Sequence, residues 1–353
     1  MSKLLSDKII QVLLPLPLVG VFDYLADENL NLKLGDFVTV PLSGREIQGV
    51  VWKLSPGKKD VPLTKLKYIL RKSELPTVPS SLMDFVQWVA GYTLSPLGSV
   101  LKMALSVPRK FGKEKKKIFY RLSTDVNTKL TTARKRVINA AVSDMPMAVR
   151  SWAEQAIVSE GVIRGMIKAG QLIPVKVSGE ESFLEPDQEM PRATLSDEQQ
   201  IAADHIIVKQ RLGTHQTILL EGVTGSGKTE VYFEAIAEAL NDKFSQILVL
   251  VPEISLTAQW LDRFKERFGA APVIWHSEMT PAQRRRTWWA TIRGEARVIV
   301  GARSALFLPL QNLKLVIVDE EHSQTFKQDE GVMYHGRDMA VVRAMQAGCT
   351  IIL

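Results

Sequence analysis

Residues 222–229 read Gly222-Val223-Thr224-Gly225-Ser226-Gly227-Lys228-Thr229 and satisfy G-x-x-x-x-G-K-[ST] at every defined position. Glycines at those places let backbone N–H groups turn inward around phosphate oxygens, and a helix beginning next to them presents its positive end to the same charge. In that geometry Lys228 reaches the β- and γ-phosphates and the Thr229 hydroxyl binds Mg²⁺. A second cluster, Asp319-Glu320-Glu321-His322, follows the apolar run Leu315-Val316-Ile317-Val318. An acidic residue ending a buried strand suits Mg²⁺ held through water, the role expected of Asp319. A carboxylate beside it suits orientation or deprotonation of an attacking water, the role expected of Glu320. An acidic run by itself also marks an ordinary helix start, so it is the pairing with the glycine loop that favours nucleotide hydrolysis. His322 either couples this site to a second one or is a plain surface histidine, and no Cys or His partners at ligand spacing make it a metal site.

These residues need a strand before the loop and a helix after it. Apolar runs at 217–220, 247–251, 273–275, 298–300, 315–318 and 350–353 alternate with helical stretches such as 231–240 and 256–268. Near-continuous apolar strands between helices indicate a parallel sheet covered on both faces. Upstream, 128–142, 148–158 and 161–169 are periodic, Gly170 is a helix stop, and 172–177 returns as a β stretch. That is the helix, helix, helix, hairpin order of a winged-helix module, with a helical spacer that touches no nucleic acid as the alternative. In residues 1–108, Phe37-Val38-Thr39-Val40 and Gly49-Val50-Val51-Trp52 flank a turn at Ser43-Gly44, and 82–90 has helical spacing, which suggests a small β-rich domain with a helix near its end. A basic run, 109–117, and an acidic, polar, proline-containing stretch, 181–193, read as linkers. The expected domains are therefore 1–108, 118–180 and 194–353.

Composition agrees with a multidomain α/β chain. The 353 residues are 46% hydrophobic and 24% charged, which excludes disordered, collagen-like and disulfide-scaffold classes. The single cysteine, Cys349, fits a reducing, cytoplasmic setting. No uncharged apolar run reaches the ~18–20 residues a membrane span needs, and the polar start of the chain argues against a cleaved signal. The net charge of +7 is uneven: residues 1–117 hold 18 basic and 10 acidic side chains, whereas residues 194–353 hold 17 and 19. The whole excess lies in the first third, which favours a polyanion partner there.

The glycine loop with Asp319-Glu320-Glu321-His322 resembles the DExH branch of superfamily 2 helicases. Five segments narrow the resemblance to the primosomal replication-restart helicases: 219–232 (LLEGVTGSGKTEVY), 249–259 (VLVPEISLTAQ), 275–277 (WHS), 300–309 (VGARSALFLP) and 318–327 (VDEEHSQTFK). Phe22-Asp23-Tyr24-Leu25 and Val40-Pro41 fit that family's N-terminal domain. The resemblance implies a 3′-to-5′ DNA helicase, using ATP and Mg²⁺, that recognises abandoned forks and starts primosome assembly. Its implied partners are forked DNA, single-stranded DNA, nascent 3′ ends, and primosome and single-strand-binding proteins, with no membrane and a monomeric state. It implies a RecA-like P-loop lobe at 194–353, a winged helix at 118–180, and a 3′-end pocket in 1–108 at Phe22, Asp23, Gly44 and Lys67. Read without the family, Phe22 is a core residue and Asp23 a turn residue. By the same resemblance Gln199 reads adenine, Gly222, Val223, Thr224, Gly225, Ser226, Gly227, Lys228 and Thr229 bind ATP, and Arg303 contacts strand phosphates. Phe326, Tyr334 and Arg337 belong to an aromatic-rich loop that couples DNA to hydrolysis, with Glu321 and His322 assisting the coupling. The family's zinc-binding cysteines and second motor lobe are expected beyond Leu353, so this chain is expected to hydrolyse ATP poorly by itself. The competing expectations are a non-enzymatic fork-binding fragment and another P-loop DNA translocase.

Overall fold

A six-stranded sheet frames the C-terminal half of this computed structural model, which describes residues 8–55, 62–105, 117–123, 131–139, 147–177, 183–223, 225–252 and 258–353. Its strands are β8 (Gln216–Ile218), β9 (Gln246–Leu250), β10 (Val273–Trp275), β11 (Val298–Gly301), β12 (Leu313–Val318) and β15 (Thr350–Ile352), ordered β10-β11-β9-β12-β15-β8. Every pairing in it is parallel. The helices α7 (Lys228–Leu240), α8 (Ala258–Phe268), α9 (Pro281–Ile292) and α10 (Gly336–Ala347) lie between strands in sequence, and α6 (Asp197–Gln210) precedes the sheet. Strands buried on both faces need apolar side chains, which is why β9, β11 and β15 are apolar apart from Gln246 and Thr350 at the starts of β9 and β15. Each strand expected from those runs is present. A core of Phe233, Ile236, Ile247, Val249, Phe264, Phe268 and Ile317 fills one side.

The chain divides into two compact units, Met1–Arg109 with Phe183–Leu353, and Lys110–Ser182. In the first unit, β1 (Lys8–Leu13), β2 (Phe22–Ala26), β3 (Phe37–Leu42), β4 (Arg45–Lys53) and β5 (Arg71–Lys72) form an antiparallel sheet ordered β2-β1-β4-β3-β5. Ser43 and Gly44 both have positive φ, at 47° and 76°, as a two-residue type I′ hairpin requires. The run into β5 joins both edges. Leu70 donates its N–H to Thr39 O, while Leu25 and Ile69 exchange backbone bonds across the first edge, Leu25 to Lys67 O at 2.9 Å and Ile69 to Leu25 O at 2.8 Å. The sheet thus curls into a small barrel packed inside by Ile10, Val12, Tyr24, Val38, Val40 and Val51.

The helices α1 (Ser80–Tyr92) and α2 (Leu97–Ala104) follow the barrel and pack on the parallel-sheet part. Phe85 meets Phe307 at 5.2 Å between centroids, Trp288 Nε1 donates to Ala104 O at 2.8 Å, and Gln311 Nε2 donates to Thr77 O at 2.9 Å. Arg343, fully buried on α10, lies over the Phe85 ring and donates to Ser81 Oγ. The stretch expected as a linker, 181–193, is described from Phe183 onward and is tied down: Arg267 donates to Gln188 O and Met190 O, and Arg192 pairs with Glu234. A buried guanidinium needs several acceptors, and those backbone carbonyls supply them.

The second unit has the order β6 (Lys117–Leu122), α3 (Thr132–Asn139), α4 (Val149–Gln155), α5 (Glu160–Lys168), β7 (Leu172–Val177). The expected closing hairpin is corrected here. Among the described residues β7 pairs antiparallel with β6, from the other end of the unit, and Met147 forms a further bridge to Tyr120. Trp152 packs in the centre and donates Nε1 to Tyr120 O at 2.8 Å, which links α4 to that strand pair. Most of the basic run 109–117 lies outside the described residues.

Candidate functional site

The glycine loop leaves β8 at Ile218 and enters α7 at Lys228. Gly225 and Gly227 both sit at φ +81°, a conformation L side chains rarely adopt. A Cβ on Gly227 would lie 2.3 Å from Gln199 Nε2, and one on Gly222 would lie 2.6 Å from Ser226 Oγ. The loop is therefore drawn tight across itself. Lys228 Nζ donates to Gly222 O at 2.8 Å, and Gln199 Nε2 donates to Ser226 O at 2.8 Å while its Oε1 accepts from Ser196 N in the capping box of α6. Gln199 thus ties α6 to the loop. Thr224 lies outside the described residues, and Val223 is exposed.

At the end of β12, Asp319 Oδ1 accepts from Glu320 N at 3.1 Å and Oδ2 accepts from Tyr232 OH at 3.1 Å. Tyr232 in turn accepts from Trp260 Nε1 at 2.7 Å. Burial pushes the Asp319 carboxyl above the usual carboxylate range, a push opposed first by the Tyr232 hydrogen bond and reinforced by the charge of Glu320. Glu320 has φ +50°, a left-handed backbone on a non-glycine residue, and this tight turn throws the acidic run away from the strand line. His322 stands between Glu321, 3.1 Å from Nδ1, and Glu320, 3.4 Å from Nε2. A cavity of about 220 Å³ joins the two halves, lined among others by Gly222, Lys228, Tyr232, Asp319, Glu320 and His322. It opens at the carboxyl ends of β8, β12 and β15, where an open α/β sheet gathers its ligands. Tyr232 and Trp260 escaped the sequence reading. The available signal was spacing, because Tyr232 lies one helical turn beyond Thr229 on the same face of α7.

Arg303 begins a short 3-10 turn after β11 and donates Nη1 to Thr325 O at 2.6 Å and Lys327 O at 2.8 Å. Those bonds hold the two-stranded ribbon of β13 (Lys327–Gln328) and β14 (Tyr334–His335). Two residues expected as part of the coupling loop are buried. Phe326 is 1% exposed and Tyr334 5%, Tyr334 meets Phe307 edge-on at 5.6 Å, and burial raises the Tyr334 hydroxyl pKa. In this conformation their rings are packing surfaces, while Met333 at the ribbon tip is exposed and Arg337 pairs with Asp338. In the barrel, Phe22 is half-buried at the start of β2, and Asp23 Oδ1 accepts from Gln11 Nε2 at 3.1 Å. Lys67 is exposed, on the segment that closes the barrel beside β2. Gly44 is at the β3–β4 hairpin tip, with nothing within 4 Å of a Cβ placed there.

A glycine loop facing an acidic strand end lies on a parallel sheet that packs beside a small barrel, and the two parts match a helicase domain and a DNA-binding domain. Residues 196–350 match the DEAD/DEAH box helicase family, and residues 11–106 match the 3′DNA-binding domain (3′BD). The sequence is similar to the replication restart protein PriA of Rickettsia felis, 32% identical over 98% of this chain, and to that of Haemophilus influenzae, 33% identical over 98% of this chain. It spans 42% and 48% of the length of those two relatives. The crystal structure of the DUF1998 helicase MrfA aligns over 45% of this chain and 26% of that one, with a TM-score of 0.32 and 18% identity. The chain thus resembles the PriA replication restart proteins over nearly all of its own length.

Proposed function

We propose that this chain supplies the 3′-end-binding part and the first motor lobe of an ATP-driven DNA helicase of replication restart. The observation that carries the reading is the convergence of Lys228, Asp319 and Glu320 on one cavity, in a chain that also matches a 3′DNA-binding domain. The residues present fit Mg²⁺ shared with phosphate. The Thr229 hydroxyl and the Asp319 carboxylate, the latter held by Tyr232, are hard oxygen donors, and among the described residues no group of three or more His, Cys, Asp or Glu would hold a metal without help from a ligand. Thr229 and Asp319 would hold that ion, which when bound neutralises charge between the β- and γ-phosphates. The remaining roles belong to the chain itself. Lys228 exchanges the Gly222 carbonyl for phosphate, the amides of 222–227 wrap the phosphates, Gln199 turns to the adenine edge, and Glu320 orients the attacking water.

On the DNA side, Arg303 is the phosphate contact of the strand track, and the ribbon from Phe326 to Arg337, with Glu321 and His322, links it to the cavity. Phe22 stacks the terminal nucleotide and Asp23 accepts from the 3′-hydroxyl, with Lys67 and Gly44 completing that pocket. Residues 118–180 act as a winged helix. The 3′-to-5′ direction, fork recognition, primosome and single-strand-binding partners, monomeric state and cytoplasmic setting all follow the family resemblance. In a protein extended to the length of the matched relatives, Lys228→Ala is expected to abolish DNA-stimulated ATP hydrolysis while sparing binding to 3′-ended forks; unwinding that survives it defeats the proposal. Asp23→Ala is expected to weaken binding only to forks with a free 3′-hydroxyl, and equal loss on all DNA would favour a general translocase.

A further inference from the structure

We infer that Tyr232 is a positioning residue that orients Asp319, the carboxylate of the metal position, and that Trp260 fixes its direction of donation. The inference rests on the nucleotide site proposed above. A phenol carries one proton and two lone pairs. Trp260 Nε1–H can only donate, so at 2.7 Å the Tyr232 oxygen must accept there, and the phenolic proton goes to Asp319 Oδ2 at 3.1 Å. Asp319 has its other oxygen held by Glu320 N at 3.1 Å, so both carboxylate oxygens are fixed from behind. One phenolic proton from a residue 87 positions away and one backbone amide therefore set the direction in which the Asp319 carboxylate faces the cavity.

Packing alone does not call for that hydroxyl. The Tyr232 ring sits in an aromatic cluster, edge-on to Phe233 at 5.5 Å, with Trp260 5.7 Å from Phe233 and stacked on Phe264 at 5.5 Å. A phenyl ring at position 232 would satisfy those contacts. The residue is 2% exposed, and a buried hydroxyl with donors and acceptors so disposed is a directional device. Partners behind a metal's own ligands typically change metal affinity by ~10–100-fold when removed.

The test is Mg²⁺ titration of this chain against a fluorescent non-hydrolysable ATP analogue, with a parallel measurement in EDTA, for the wild type, Tyr232→Phe, Trp260→Phe and Lys228→Ala. Tyr232→Phe is expected to leave metal-free nucleotide affinity within about twofold of wild type and to raise the half-saturating Mg²⁺ concentration by about tenfold or more. Trp260→Phe should shift it in the same direction by less, because the phenol keeps its proton but loses the donor that orients it. An unchanged Mg²⁺ requirement in Tyr232→Phe overturns the inference. So does loss of nucleotide binding in EDTA together with a lowered melting temperature, which would mark Tyr232 as packing only. If instead Lys228→Ala binds the analogue as tightly as wild type, the nucleotide-site reading itself fails and the inference falls with it.

Discussion

Arg343 on α10 offers a test of how the barrel part and the motor part are joined. Its side chain is fully buried between α10 and α1 and donates from Nη1 to Ser81 Oγ at 3.3 Å, while Nε and Nη2 have no hydrogen-bond partner among the described residues. Burial lowers its pKa from the ordinary guanidinium range to about 10. A cation whose folded pKa lies below its unfolded value binds fewer protons when folded, so stability rises with pH between those two values and the penalty is complete below about pH 10. At ~1.4 kcal/mol per unit, the shift costs about 3 kcal/mol at neutral pH. The Phe85 ring under the guanidinium, 5.6 Å away, returns about 1 kcal/mol. Arg343→Met keeps most of the buried stem and removes the charge, and is expected to stabilise the chain by about 1–2 kcal/mol. Urea unfolding at pH 7.5, followed by tryptophan fluorescence, measures it as a higher midpoint at unchanged slope. Destabilisation by more than about 1 kcal/mol would refute the reasoning, because it would mean that the guanidinium is fully satisfied in the folded protein.

Three further outcomes follow from the same geometry. Trp288→Phe leaves the Ala104 carbonyl without its indole donor and is expected to cost about 1–3 kcal/mol in urea unfolding, with Trp288→Ala costing about 3–5 kcal/mol. Gly227→Ala places a side chain at φ +81° and displaces the Gln199 amide, so it should cost about 1–2 kcal/mol of stability and weaken nucleotide binding in a titration with the ATP analogue. Cys349 is buried and its thiol is pushed up to about 12, so at pH 8 it should react with a thiol reagent only at the rate at which the α10–β15 region opens; fast labelling of the native chain would contradict its burial.

The parallel sheet was legible because strands covered on both faces have no freedom to be polar, and each apolar run from 217–220 to 350–353 became a strand. The loop at 222–229 and the acidic end of β12 were legible for a related reason, since their chemistry depends on residues adjacent in sequence. What could not be read required partners far apart. Barrel closure pairs Leu25 with Tyr68, and the strand pair of the second unit joins Leu122 to Leu172 across three helices. The phenol that holds Asp319 was hidden because a tyrosine in an amphipathic helix has the same periodicity whether its hydroxyl is used or not. The burial of Phe326 and Tyr334 depends on Phe307 and Gly336, contacts that no local pattern announces.

The edge strand β8 carries the glycine loop, and within the sheet it pairs with β15 through Gln216–Thr350, Thr217–Ile351 and Ile218–Ile352. Leu353 closes the ladder, donating to Ile218 O at 2.9 Å and accepting from Leu220 N at 2.8 Å. The partner of β8 therefore lies more than 130 residues downstream. Contacts of such separation form late, after shorter loops have closed. During synthesis at ~5–20 residues per second, the strand bearing the loop waits on the order of ten seconds for its partner, while β9, β10, β11 and β12 are already available to one another. Among the described strands β8 is thus the last to gain its partner, so the glycine loop it carries is anchored only after β9, β10, β11 and β12 have met.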